Sequence, residues 1–125
     1  MSSAPSLPVL SAEQVRALNS LATSTLTHQL QQRGIRSTFL SGLKALQPTL
    51  RMVGRARTLR YVALREDQQA HYASGLNAQR RVVESMRAGE VLVIEARGVP
   101  DAATIGDIYA TRAFKLGATG IVTDG

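Results

Sequence analysis

The residues best placed to do chemistry are Gly106, Asp107, Ile108 and Tyr109. They stand where a loop containing Gly98 and Pro100 gives way to a helical pattern. An aspartate as N-cap or in the first turn of a helix can accept an orphan backbone N–H and face the positive end of the helix dipole. The N–H groups of Gly106 through Tyr109 would then point out of the carboxyl end of the preceding strand. In open α/β sheets that crevice binds ligands, and a helix N-terminus there suits a carboxylate or phosphate. From spacing alone two readings of Asp107 stand side by side. One is a plain helix cap, the commoner use of the residue; the other is part of a ligand loop.

The elements that must position this turn surround it. Val91-Leu92-Val93-Ile94 is a short apolar run rich in β-branched residues, the pattern of a strand buried on both faces. Ile108, Ala110, Ala113, Phe114 and Leu116 recur at roughly helical spacing, and Gly117 closes the helix as a left-handed C-cap. Ile121-Val122 begins a second apolar strand that runs into Asp124-Gly125. Strand, loop, helix and strand make a βαβ unit, with parallel strands and a right-handed crossover expected.

The segments GEVLVIEARG and AATIGDIYATRAFKLGATGIVTDG resemble the family of the regulator of ribonuclease activity A. That family includes the divalent-metal-dependent 4-hydroxy-4-methyl-2-oxoglutarate/4-carboxy-4-hydroxy-2-oxoadipate aldolases, which also decarboxylate oxaloacetate. The likeness runs from about Thr25 to Gly125 and is strongest from Gly89 onward. It implies an α/β fold of the layered α/β/α swivelling-domain type, with the βαβ unit near the C-terminus of the chain. It further implies a lyase acting on a short 2-oxo acid, with Mg2+ or Mn2+ as Lewis acid and a homotrimer or a multiple of it as the assembly. The substrate carboxylate would rest on the amides of Gly106, Asp107, Ile108 and Tyr109, and Asp107 would orient a water for proton transfer. Family enzymes carry an Arg-Asp pair downstream of that acid: a substrate-binding arginine and a metal-ligating aspartate. Counted from Asp107 the pair falls beyond Gly125, so the chain is expected to be truncated, with no metal ligand of its own. The alternative implied by the same family is a non-catalytic regulator that binds and inhibits a ribonuclease assembly.

Composition bounds the remainder. The 125 residues make at most one domain, read as a flexible arm over 1–10 and the N-terminal part of a single aldolase-like domain over 11–125. With no cysteine there are no disulfides or thiolate metal sites, and no segment has the apolar length of a membrane span. The start lacks a signal-peptide pattern, and a cytoplasmic protein fits. The net charge of +6 is uneven: up to Arg65 there are nine Lys/Arg against one acid, Glu13, and thereafter six against eight. The basic stretch RMVGRARTLRYVALR has Tyr61 as its only aromatic and no RNA-binding signature, so it reads as a solvated strand face or subunit contact rather than a nucleic-acid site.

Upstream of the βαβ unit the elements are weaker. Ser11 to Gln14 fits a capping box, with Val15, Leu18 and Leu21 on one helical face. A second helix is expected over about Thr25–Arg33, closed by Gly34, with Leu26 and Leu30 packed inward. His28 on that helix lacks partners at metal-ligand spacing and reads as a surface or partly buried histidine. Residues 35–48 read as an irregular connection and Met52–Val62 as a strand, with Gly54 as a bulge or close approach. Glu66, Asp67 and His71 offer three metal-ligand types, but nothing in the sequence fixes them on one surface. A helix is expected from about His71 to Ala88, its inner side formed by Leu76, Val82, Val83 and Met86.

Overall fold

Three strands, Arg55–Arg60 (β1), Glu90–Glu95 (β2) and Gly120–Thr123 (β3), form one sheet in the order β1-β2-β3 in the computed structural model. Both pairings are parallel, with Leu59 opposite Ile94 and Leu92 opposite Ile121. The structure describes residues 8–70 and 77–125. The expected arm over 1–10 therefore lies largely outside the described residues, as do His71, Leu76 and the start of the helix expected there.

Between β2 and β3 runs the helix Asp107–Lys115 (α4), as the apolar pattern predicts. Gly117 follows it in the left-handed region, with φ +89. Between β1 and β2 lies the helix Ala78–Glu84 (α3), capped by the Asn77 side chain, which accepts the N–H of Arg80. It ends earlier than the expected Ala88, because Ser85 already turns out of the helix and its N–H closes onto Arg81 and Val82. The core is where α3 and α4 cover one face of the sheet. Leu59, Leu92 and Ile94 meet Val83 and Met86 from α3 and its end, and Ala113 from α4. Leu92, Val83 and Ala113 are wholly buried. Each large aliphatic buried this way contributes roughly 1.5–3 kcal/mol.

The inner face of α4 differs from the expected one. Tyr109, Ala113 and Leu116 pack on the core, while Ile108 and Phe114 are 77% and 76% exposed. Residues 109, 113 and 116 form an i, i+4, i+7 stripe, and small Ala113 at its centre lets the helix approach closely. The reading of β2 as buried on both faces holds in part. Leu92 and Ile94 are buried under the helices, whereas on the other face Val91 is buried and Val93 only partly. In β1 it is the Arg55, Arg57, Leu59 side that is the more covered, while Ala56 and Thr58 are exposed. Arg57 is not the solvated charge its basic surroundings suggest: it forks onto the Glu90 carboxylate at 3.0 and 3.2 Å. Gly54 is a close approach, since a Cβ there would lie 2.5 Å from the Gly89 carbonyl oxygen.

The N-terminal helices are Ala12–Ser20 (α1) and Thr23–Gln32 (α2). The capping box on α1 is present in full, with Ser11 and Gln14 exchanging hydrogen bonds at 2.9 and 3.1 Å. Helix α2 begins two residues before the expected Thr25 and ends before Gly34, whose φ is +77. Neither helix buries a residue, and Leu26 and Leu30 reach only partial cover, short of the inward packing expected. Residues 35–54 contain no helix or strand, and Glu66–Gln68 is a 3-10 turn.

Candidate functional site

The carboxyl ends of β2 and β3 feed two loops that the chain pins from one place. Beyond β2, Arg97 and Gly98 both take the left-handed conformation, with φ +62 and +66. The Asp124 carboxylate closes that turn by accepting the N–H of Ala96 at 2.5 Å and of Gly98 at 2.8 Å. These two N–H groups, Ala96 first, hold the Asp124 carboxyl below its ordinary pKa. Further along, the nearly buried Thr104 shares a hydroxyl hydrogen bond of 2.8 Å with Thr123. The Thr104 carbonyl accepts the Gln79 amide at 2.6 Å and the Tyr61 hydroxyl at 3.3 Å. Burial, and then the neighbouring Tyr109, raise the Tyr61 phenol above its usual pKa. The end of β3 thus anchors the loop leading into α4.

At the start of α4, Gly106 is the N-cap and supplies no side-chain bond. Asp107 is the first helical residue, and its Oδ1 accepts the N–H of Ile108 at 2.9 Å. The N–H groups of Gly106, Asp107 and Tyr109 meet no acceptor among the described residues. Gly106 is needed there neither for its φ, which is −106, nor for space, since a Cβ would touch nothing within 4 Å. Its lack of a side chain leaves the amide mouth bare.

Gly106, Asp107, Ile108 and Tyr109 all line one cleft of about 620 Å³, so the four residues singled out in the sequence come together. The opposite wall comes from α3 and was not foreseen: Gln79, Arg80 and Glu84, joined by Arg112 from α4. Arg112 forks onto Glu84 at 2.7 and 3.1 Å. That hydrogen bond, together with the charge of Arg112, keeps the Glu84 carboxyl below its usual pKa. The Arg80 guanidinium makes no hydrogen bond or ion pair among the described residues. The Arg80/Glu84 spacing of one helical turn was the signal in the sequence, but nothing there tells which way α3 faces. A larger groove of about 1100 Å³ runs along α2 and contains none of these residues.

As a metal centre the cleft is poorly equipped. Among the described residues no group of three or more His, Cys, Asp or Glu side chains could hold an ion. Glu84 is engaged by Arg112, Asp124 by two N–H groups, and Asp67 by Arg65; Asp107 lines the cleft with no cationic partner among the described residues, its Oδ1 accepting only the Ile108 N–H. A hard cation needs more oxygen ligands than one aspartate supplies. The described residues do not fit the ion. His28 also has a local use: its Nε2 lies 2.9 Å from the Gln32 amide nitrogen. His71, the third member of the Glu66/Asp67 group, lies outside the described residues.

The family model RraA-like (Aldolase/RraA) matches residues 23–125. The chain belongs to the RraA-like family. No curated protein matches the sequence. Among solved structures this RraA-like chain is similar to Streptomyces coelicolor RraAS2, described as an unusual member of the RNase ES inhibitor RraA protein family. The TM-score is 0.76 and the identity 35%, over 96% of this chain and 56% of RraAS2. The chain thus spans little more than half the length of the structure it matches. The α/β class expected from the sequence is the class observed, in a mixed helix and parallel-sheet arrangement matching an RraA fold. No helix among the described residues is long and apolar enough to cross a membrane.

Proposed function

We propose that this RraA-like chain supplies the substrate-carboxylate half of a lyase site acting on short 2-oxo acids, by aldol cleavage or decarboxylation. The observation that carries the reading is the bare amide mouth at Gly106–Tyr109, opening into a cleft that also holds Arg80 and Arg112. Unpaired N–H groups at a helix N-terminus suit a carboxylate, and the Arg80 guanidinium, which no carboxylate engages among the described residues, favours an anion. Asp107 is exposed and has no cationic partner among the described residues, so it can hold a water by its carboxylate and take or return a proton. When bound, Mg2+ or Mn2+ would polarise the 2-oxo group. The described residues do not fit the ion, and no step is assigned through it. A cytoplasmic homotrimer, or a multiple of it, completes this reading.

The test uses the full-length protein, assayed for oxaloacetate decarboxylation and for cleavage of 4-hydroxy-4-methyl-2-oxoglutarate with Mg2+ or Mn2+. Asp107→Asn should lower kcat by roughly 10²–10⁴, the range for loss of a general acid–base group. KM should change less, because the amide mouth remains. Folding stability should stay within about 1 kcal/mol, because Asn is also tolerated at helix starts. Unchanged turnover would reduce Asp107 to a first-turn helix residue. The 125-residue chain by itself should show no turnover above the metal-only background.

A second reading, regulation of a ribonuclease assembly, is favoured by the 35% identity to RraAS2. It expects inhibition of a ribonuclease by the full-length protein, undiminished in Asp107→Asn.

A further inference from the structure

The groove along α2 has no part in the reading above. Ala22, His28, Phe39, Pro48, Arg51 and Met52 line it, between the helix and the irregular segment that follows. That segment carries an unusual load of uncovered apolar side chains: Phe39 is 72% exposed and Leu46 98%, and Leu40 and Leu50 are also exposed. Scattered single leucines are ordinary on a surface, but several of them in one segment beside a groove that Phe39, Pro48 and Met52 line mark an interaction site.

Charge says what kind of partner fits. From Gln14 through Arg65 the chain has no acid, against nine Lys/Arg. Arg36, Lys44 and Arg51 are exposed within or beside the segment. Helix α2 opens at Ala22 with no side-chain cap and no acid in its first turn, so its positive end is uncompensated by the chain. A second copy of the chain is poorly matched, because its acids are largely committed. Asp67, Glu84, Glu90 and Glu95 pair with arginines, and Asp124 is held by backbone N–H groups. Nucleic acid fits the charge but not the leucines, and among the described residues Phe39 is the only Phe, Tyr or Trp lining the groove, with His28 beside it.

We infer that the groove between α2 and residues 39–52 docks a segment of another protein that carries acidic and apolar side chains together. Phe39, Pro48 and Met52 would receive the apolar side chains. Arg51, whose guanidinium already donates to the Leu21 carbonyl at 2.5 Å, would fix the acids beside the start of α2. The inference is independent of the Asp107 cleft.

A fluorescein-labelled synthetic peptide alternating Glu with Leu and Phe tests it, titrated with the full-length protein and followed by anisotropy. Saturable, salt-weakened binding is expected, with oligo-glutamate of equal charge binding much more weakly. Phe39→Ser and Arg51→Gln should each weaken binding by about tenfold, a change read directly from the dissociation constant. Phe39 is largely exposed, so its variant should keep the fold, which circular dichroism verifies; Asp107→Asn should bind the peptide as the parent does. Four results would overturn the inference: no saturable binding, equal binding by Phe39→Ser, tighter binding of a single-stranded RNA, or self-association in sedimentation that Phe39→Ser abolishes.

Discussion

The segment from Gly89 to Gly125 and the segment from Val9 to Met52 are comparable in length, yet they end up differently. In the first, the apolar side chains of β2 and the inner stripe of α4 are covered, and the loops are tied by Asp124 and by the Thr104–Thr123 pair. In the second, two well-formed helices bury nothing and the connection after them leaves Phe39, Leu46 and Leu50 in solvent. Local hydrogen bonding does not separate them: the capping box of α1 is present in full. The difference is tertiary. Parallel strands joined through a helix bring their own cover, whereas an amphipathic helix pair needs a surface supplied from elsewhere.

The largest test of that contrast is a pair of truncations. Leu92→Ala removes a wholly buried side chain from the centre of the sheet and should cost about 2–5 kcal/mol in urea unfolding. Leu46→Ala, at 98% exposure, should leave unfolding unchanged within about 0.5 kcal/mol. Comparable losses from the two would mean that the N-terminal segment is packed after all.

Next in size is the contact between the stretch just before β1 and the C-terminal region. A methyl group at Gly54 would press on the Gly89 carbonyl oxygen at 2.5 Å and the Thr119 hydroxyl at 2.7 Å. Because a backbone atom is one of the obstacles, Gly54→Ala should destabilise by about 1–3 kcal/mol, the usual cost of overpacking. A neutral substitution would show that the stretch before β1 can lift away from the sheet at little cost.

How legible these regions were in the sequence follows the same division. Val91–Ile94, Ile121-Val122 and the Gly106-Asp107 turn could be read because strand length, helix spacing and a turn acid are local patterns. The inner face of α4 could not, because Ile108 and Phe114 compete with Tyr109 and Leu116, and only the approach of α3 decides between them. The wall of Arg80, Glu84 and Arg112 was hidden for the same reason, since its members lie on two helices whose packing no spacing rule sets. Asp124 looked like the end of a strand. Its role as the clamp on the Arg97-Gly98 turn depends on a register between β2 and β3 that only the fold reveals.

Acid should loosen the C-terminal region through that clamp. The folded Asp124 carboxyl has a pKa below its unfolded value, so it binds a proton less readily folded than unfolded. Its contribution is therefore present above the unfolded pKa, near the ordinary aspartate value, and is lost as pH falls through the lower folded value. Glu84, held down by Arg112, acts with the same sign. Asp124→Asn should flatten the acid limb of the stability curve, and amide exchange at Ala96 and Gly98 should rise in that variant at neutral pH. An unaltered acid limb, with protection at both amides retained, would remove Asp124 from the account.

The smallest effect is the most discriminating. Ser11→Ala deletes one half of the capping box on α1, and caps of this kind contribute about 1 kcal/mol to the helix they close. If α1 folded as one cooperative unit with the sheet, that loss would appear in full in global unfolding. Because α1 buries no residue, the loss should instead stay local. Hydrogen exchange over Ala12–Ser20 should accelerate several-fold while the amides of Val91–Ile94 and the urea midpoint stay where they are. Equal acceleration in both places would join the two regions thermodynamically and show that α1 draws its stability from the sheet. Local acceleration that disappears when the acidic, apolar peptide is bound would be a different finding. It would mean that a partner in the groove stabilises the N-terminal helices, the cover they lack in the free chain.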